Sequence, residues 1–580
     1  MRHIIKSIIL LAAILIGGAG QAWAIRLSSV SRGVVTGGSI AFYSDEACTT
    51  EFTGNVSTVY IKATPSFGYK GKVASEGEKV DFIKAEVVVW PGQAQARTRG
   101  DGTTIGFGDF IDVTATATRG VYCITMPTDN NLNVLVTATF PERPYLTGVS
   151  YIDPTKTGNA QNATTPGGTH VYILDGTETV LGSDDDTPTW YVVNGDVNFN
   201  HAFEINKDVR IILANGKTMN IGSEASCLTN YGVALRPYSQ LTIYGQGGSE
   251  EGSLNIYSNQ TSFYSTHSEN AITICGGQVV TNNNINFANG TVNIQGGRFT
   301  DKDEFIESAI PYSIRASEIM IDGGAVSAKG LLFAETNGIT VNGGSVDVYQ
   351  FVADKGNITL GWKNGETDCI ATTNGYQCND GNLTFATGKR FYAYDGEIVA
   401  AVYDAQTVLT KDETYKTYPE LVGKVLKPCD GNFVKLIDGV TASATDGESV
   451  TIGTETLYKV ASGAEVTLSA TDSDNRKLSS VTLTGATATG SDGTFTFTMR
   501  TSDVTVTAAA FLEQVTYYDP TAEGDNKTKT VFATPLTGSE TTLAKGWYVV
   551  NKDVCKVLHY VKSATAHICF FIVIQHFSFI

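Results

Sequence analysis

Three aspartates, Asp322, Asp347 and Asp354, stand on or just after short stretches in which apolar and polar residues alternate. Carboxylates so placed are raw material for a glycosidase, which needs an acid and a base several ångströms apart, one with a raised pKa. They are equally what an alternating strand turns toward water, and a fold does not by itself imply catalysis. The seven histidines (His3, His170, His201, His267, His559, His567 and His576) fall into no motif. Nucleophile-elbow, His-Glu-x-x-His and phosphate-loop patterns are missing. The sequence therefore names no catalytic residue, no cofactor and no metal-ligand set. The acidic runs Asp184-Asp-Asp186 and Asp472-Ser-Asp474 offer the oxygen ligands that calcium takes. They lack the spacing of an EF-hand or a glycine-rich calcium repeat, so solvated turns are the plainer expectation.

Aromatic rings are the other chemistry on offer, since a flat ring with an apolar face can stack on a sugar. Tyr244, Tyr257, Tyr264, Tyr349 and Phe351 lie beside or just after strand cores and are the candidate glycan-binding residues. Packing within the fold is the competing expectation, because only contiguous exposed patches carry meaning. Nine cysteines are scattered along the chain, and Cys369 and Cys378 are near enough in sequence to close a local disulfide around Thr372–Tyr376. No cysteine or histidine spacing suits zinc. Cys275, beside a strand core, is expected to be a buried free thiol.

The elements that must position these residues form a ladder from Val209 to Leu360. Its cores are Val209-Arg-Ile-Ile-Leu213, Leu241-Thr-Ile243, Leu254-Asn-Ile256, Ile272-Thr-Ile274, Val292-Asn-Ile294, Ile319-Met-Ile321, Ile339-Thr-Val341 and Ile358-Thr-Leu360. Each is a period-2 alternation, the mark of a half-buried strand. From Ile272 the starting positions 272, 292, 319, 339 and 358 give steps of 20, 27, 20 and 19. The long step holds Lys302–Glu307, a loop insertion. Recurrence near twenty residues without an intervening helix predicts a parallel β-helix, with Ile and Val stacked inside. Glycine pairs at 247–248, 276–277, 296–297, 323–324 and 343–344 are expected at its corners, where positive φ costs glycine little.

With 60 glycines, 26 tyrosines and a net charge of -18 over 580 residues, the chain fits an acidic all-β protein and not a nucleic-acid binder, which needs a basic face. Arg2 and Lys6, the apolar run Ile8–Ile16 and Ala22-Trp-Ala24 compose a secretory signal with cleavage after Ala24. The apolar run is short of the roughly 20 residues of a membrane span, so none is expected once the signal is removed. Two stretches recur: Val149-Ser-Tyr-Ile-Asp-Pro-Thr155 as Val515-Thr-Tyr-Tyr-Asp-Pro-Thr521, and Trp190-Tyr-Val-Val-Asn194 as Trp547-Tyr-Val-Val-Asn551. The strands before them recur as well, Ile124-Thr-Met126 and Val134–Phe140 answering Phe497-Thr-Met499 and Val504–Phe511. Such duplication predicts a modular array. Its parts are a signal peptide (1–24), a first β repeat module (25–145), a connector and N-terminal cap (146–195), a parallel β-helix (196–365) and an irregular β cap (366–436). A second module (437–513), the start of a second β-helix (514–554) and an aberrant apolar tail (555–580) follow. A truncated or frame-shifted second coil would account for that tail.

Trp190–Val197, Ile205–Gly216, Leu241–Gly248 and Val504–Phe511 together resemble a group of secreted surface proteins of gut bacteria, of the Bacteroidetes and Firmicutes type. In these proteins parallel β-helix segments, pectin-lyase-like or carbohydrate-binding-domain-like, alternate with bacterial repeat modules related to the internalin B-type repeat. Arg500 departs from the proline at Pro127. The resemblance implies an all-β protein with a right-handed parallel β-helix flanked by small antiparallel β modules. It also implies an extracellular or outer-surface location and a role as an adhesin or glycan-binding stalk, with polysaccharide or a host glycan or protein as partner. A polysaccharide lyase or glycoside hydrolase on the coil, and a purely structural spacer, are the alternatives.

Overall fold

The computed structural model describes residues 29–549 apart from 55, 71–73, 89–96, 99–103, 106–107, 127–132, 303–310, 472–475, 492, 520 and 537–545. The signal peptide with Ala24, the Asp472–Asp474 loop and the apolar tail lie outside the described residues. What is described is built from strands, with short 3₁₀ turns at Gly158–Gln161, Pro419–Leu421 and Gly524–Lys527. No helix among the described residues is long and apolar enough to cross a membrane. The chain divides into two compact units, Met1–Asp303 and Glu304–Ile580.

The first unit opens with a two-sheet module. One sheet runs in the order Ser29–Thr36, Asn133–Thr139, Ile83–Val88, Phe110–Ile111, and the other Gly38–Tyr43, Thr58–Pro65, Val121–Thr125, Thr114–Ala115. Alternating residues fill the space between them: Val59 and Ile61 from one sheet meet Ile83, Val134 and Val136 from the other, all essentially inaccessible to solvent. The pairing is antiparallel except between Ser29–Thr36 and Asn133–Thr139, which run parallel.

The coil follows, and its strands line up in three parallel walls. In the first wall, Thr189–Val193, Asp208–Leu213, Gln240–Gly245, Ala271–Ile274 and part of Ile285–Ile294 pair in that order. In the second, Val197–Phe199, Thr218–Ile221, Ser253–Ile256, Gln278–Thr281 and Arg298–Asp301 do so. The third wall runs through Val180–Leu181, Phe203–Ile205, Tyr231–Leu235, Thr261–Tyr264 and the start of Ile285–Ile294. In-register pairing puts Val209, Leu241, Ile272 and Val292 in one inward column and Ile211, Ile243, Ile274 and Ile294 in the next. Each of these contributes on the order of 1.5–3 kcal/mol by leaving water. Outward positions hold polar columns; Asn255 donates to Asn220 and Asn220 to Asn198 at 2.9 and 2.8 Å.

Three sequence expectations shift. The Leu254–Ile256 core, expected in the same ladder as Leu241–Ile243, stands on the second wall. Paired positions on the first wall are 32 residues apart from Val209 to Leu241 and 20 from Ile272 to Val292, because the earlier rungs carry longer corners. The coil also starts before residue 196, since Val171–Ile173 already pairs parallel with Trp190–Val192. Of the glycine pairs, 276–277 and 296–297 stack at one corner. Gly277 and Gly297 have φ of 72° and 67°, and a Cβ on Gly297 would meet the Gly277 carbonyl oxygen at 2.5 Å. Gly247 and Gly248 keep negative φ and sit in one of the longer corners.

In the second unit Ile339–Val341 pairs parallel with Ile358–Leu360, which pairs with Leu383–Phe385. Ser345–Val348 pairs with Cys369–Thr372, and Phe351–Ala353 with Tyr376–Cys378. Parallel pairing thus continues past residue 365. The antiparallel strands Arg390–Asp395, Ile398–Asp404 and Val425–Pro428 then cover the coil end, which protects strand edges from unwanted pairing. A second module follows, mostly antiparallel among its described strands, with Val434–Lys435 parallel to Val504–Thr505. It recruits Asn432–Lys435, ahead of the expected start at 437.

The duplication reaches the side chains. Tyr151 tilts on Trp190 at 5.2 Å between ring centroids, and Tyr517 on Trp547 at 4.7 Å. Thr155 donates its amide and hydroxyl to Asp153 at 3.0 and 2.6 Å, and Thr521 repeats both bonds to Asp519 at the same distances.

Candidate functional site

The third wall of the first unit presents the most promising surface. Register places Glu204, Ala234, Tyr264 and Asn286 in one outward column, because Phe203, Ile205, Val233, Phe263 and Ile285 occupy the interior. Gly232 faces inward, where an added Cβ would meet Ile256 at 2.3 Å. That inward turn sends its neighbour Tyr231 to the outside, stacked on Tyr264 with centroids 6.0 Å apart and planes 12° off parallel. Tyr264 is 37% exposed. Nearby, Tyr238 stands exposed with the His267 ring 5.0 Å away. Arg236 follows the same strand and donates from Nε to Glu204 Oε2 at 2.7 Å.

Tyr231 and Arg236 also line a cavity of about 470 Å³ between this wall and the first module. Lys62 and Arg119 face it from the module side. Arg119 is held in place by uncharged acceptors: Nη1 donates to Asn200 Oδ1 at 3.3 Å and to His201 Nδ1 at 2.8 Å, and Nη2 to the Gly176 carbonyl at 2.8 Å. Since His201 Nδ1 accepts, its proton sits on Nε2, which donates to the Glu178 carbonyl at 2.8 Å. Burial holds the His201 imidazole below its ordinary range; the Glu178 carbonyl opposes this and the Arg119 charge adds to it.

Between Thr177 and Thr179, which line the cavity, Glu178 turns to a buried ion pair with Arg143. The Glu178 carboxylate also accepts from the Gly176 and Asp175 amides at 3.0 and 3.2 Å. Burial pushes the Glu178 carboxyl up, with the Arg143 guanidinium opposing. Lys70 reaches Asp175 at 3.3 Å. These bonds fix the module against the coil and so fix the cavity walls.

Of the predicted aromatic set, Tyr264 stands on this surface. Phe351 is withdrawn as a ligand residue: it is fully buried in the second unit, stacked on Tyr376 at 5.4 Å. Tyr244 points outward from the first wall, but the Ser150–Ile152 hairpin folds over it. Its ring is stacked on Trp190 at 5.7 Å and met by Tyr151 at 4.6 Å, part of a small outer core with Val149, Val192 and Ile212. Tyr257 is half-buried near Glu224 and Cys227, and burial raises its hydroxyl pKa. Tyr349 is half-buried in the second unit. The expected Cys369–Cys378 disulfide is not formed; both are free. The corner between them turns Cys378 into the interior and leaves Cys369 on an outer side, bonded to Ser345 Oγ at 3.2 Å. Cys275 is buried, its thiol pushed up to about 12 by burial.

The three aspartates fall on successive faces of the coil. Asp322 accepts from Asn342 at 2.7 Å and Asp354 from Asn379 at 2.9 Å, while Asp347 is exposed on the Ser345–Val348 wall. Asp184 and Asp186 are engaged by Asn206 and Lys207 at 3.0 and 3.1 Å. No group of three or more metal-binding side chains occurs among the described residues. Tyr231, Arg119 and Arg236 were not foreseen. The signal available was the Asn230-Tyr-Gly232 triplet at a strand start, where a glycine inverts the alternation.

No family model, no curated protein and no solved structure matches this chain.

Proposed function

We propose that this protein is an exported, non-enzymatic carbohydrate binder, an adhesin or glycan-binding stalk, that engages its ligand on the third wall of the first coil. The observation that carries it is the stacked, near-parallel Tyr231–Tyr264 pair beside a cavity of about 470 Å³. Two such rings on neighbouring strands offer apolar surface on which a sugar face can stack. A volume within the roughly 300–1,000 Å³ of ordinary ligand sites, edged by a few polar groups, then orients what is bound. The β-helix keeps the platform rigid, because each rung is hydrogen-bonded to the next.

A glycan array probed with the full chain, paired with a reducing-sugar assay on the glycans that bind, tests this. Binding without turnover, weakened about tenfold or more by Tyr264→Ala, is the expected result. Release of reducing ends, or binding indifferent to Tyr231 and Tyr264, would overturn it.

A further inference from the structure

The charge around the cavity is opposite to that of the whole chain. The protein carries a formal net charge of -18. The ionisable lining of the cavity nevertheless sets Lys62, Arg119 and Arg236 against one carboxylate, Glu204, which Arg236 already holds. Lys62 and Arg119 form no ion pair with a carboxylate of the described residues. A guanidinium has five N–H donors, and Arg119 uses three of them on Asn200, His201 and Gly176, so two are left. This half-buried cation has thus lost water with no carboxylate in contact, Glu178 and Asp175 acting on it only at longer range.

We propose that the cavity receives the carboxylate of an acidic sugar whose ring stacks on Tyr231 and Tyr264. This rests on the carbohydrate-binding function proposed above and names its ligand class. A planar carboxylate matches the guanidinium fork and forms charge-assisted bonds stronger than neutral ones. Lys62, exposed on the opposite strand, supplies a second positive charge without a directional demand. Two kinds of glycan carry such a group: uronates within a polysaccharide chain and sialate at a glycan terminus.

Titration calorimetry of the full chain with tetragalacturonate, 3′-sialyllactose and neutral lactose tests the assignment and tells the two sources apart. At least one acidic sugar is expected to bind at least tenfold more tightly than lactose, the preference shrinking as salt rises. Lys62→Gln, at an exposed position that leaves the fold intact, is expected to weaken the acidic ligand about tenfold and leave lactose unchanged. Tyr264→Ala is expected to weaken acidic and neutral ligands alike. Equal binding of lactose and the acids, with Lys62→Gln silent and Tyr264→Ala effective, overturns the acidic-sugar assignment and leaves carbohydrate binding standing. Tighter binding of a sulfated heparin oligosaccharide than of either carboxylated sugar also overturns it. No binding by any of these sugars overturns both.

Discussion

Arg143→Met is the sharpest probe of how the first module is fastened to its coil. The guanidinium and the Glu178 carboxylate are 8% and 1% exposed, so removing one partner strands a buried charge. Breaking such a pair costs about 3–5 kcal/mol. Glu178 keeps its two amide donors at 3.0 and 3.2 Å, which places the expected loss near the lower end, about 3 kcal/mol. That is about two orders of magnitude in the open-to-closed ratio of the junction.

The loss has a pH signature. Without Arg143 only the backbone amides oppose the burial that already pushes the Glu178 carboxyl up. A carboxyl with a raised folded pKa stabilises fully below its unfolded value and loses that contribution as pH rises through the folded value. The deficit of the variant relative to the parent should therefore be small near pH 4.5 and grow toward neutrality. Adding Glu178→Gln removes the stranded charge but keeps an acceptor for one of the two amides, since Asp175 and Gly176 bond different carboxylate oxygens, and should restore part of the loss. The assay is amide hydrogen exchange on the full chain, read at Val171–Ile173 and Val180–Leu181 across pH. A deficit independent of pH, or a double variant no better than Arg143→Met alone, would refute the reasoning.

His201 should make the same junction acid-sensitive. Its lowered folded pKa means that stability is present above the unfolded value of about 6.5 and lost as pH falls through the folded value, because protonation makes Nδ1 a donor facing Arg119. His201→Gln should flatten that dependence in hydrogen exchange, and an unchanged pH profile would count against the account. Gly297→Ala combines a positive φ with a Cβ at 2.5 Å from the Gly277 carbonyl oxygen. It should lower the melting temperature of the coil by a cost of about 2–4 kcal/mol, whereas Gly195→Ala, with open space around it, should be nearly silent; similar melting of the two would sink the corner argument. Cys369 should react with a thiol reagent in the folded protein and Cys378, buried with its thiol pushed up to about 11, should not. Electrophoretic mobility that changes on reduction would contradict two free thiols.

The coil was legible because its signal is repetitive. Leu241–Ile243, Ile272–Ile274 and Val292–Ile294 each show the alternation that stacking requires. Which wall a core joins was not legible: Leu254–Ile256 has the same alternation as its neighbours, and corner length alone assigns it to the second wall. The candidate site was legible in one residue, Tyr264. Tyr231 lay hidden because Gly232 inverts the inside-outside order at the strand start. Lys62 reaches the cavity from a strand and Arg119 from a turn, both far away in sequence, and no local pattern reports such a meeting. Tyr244 and Phe351 failed for opposite reasons: one points outward but is roofed by a hairpin, the other points in.

The column of paired strands on the first wall has a mechanical consequence. Every rung is joined to the next by ladder hydrogen bonds, while the chain threads the rungs in series. Tension applied at the ends of the coil would therefore peel off one turn at a time. The 20 residues between Ile272 and Val292 would release about 66–72 Å of contour length at ~3.3–3.6 Å per residue. The 32 residues between Val209 and Leu241 would release about 105–115 Å by the same measure. A coil threaded this way would lengthen in unequal steps under load and dissipate work as each turn opens.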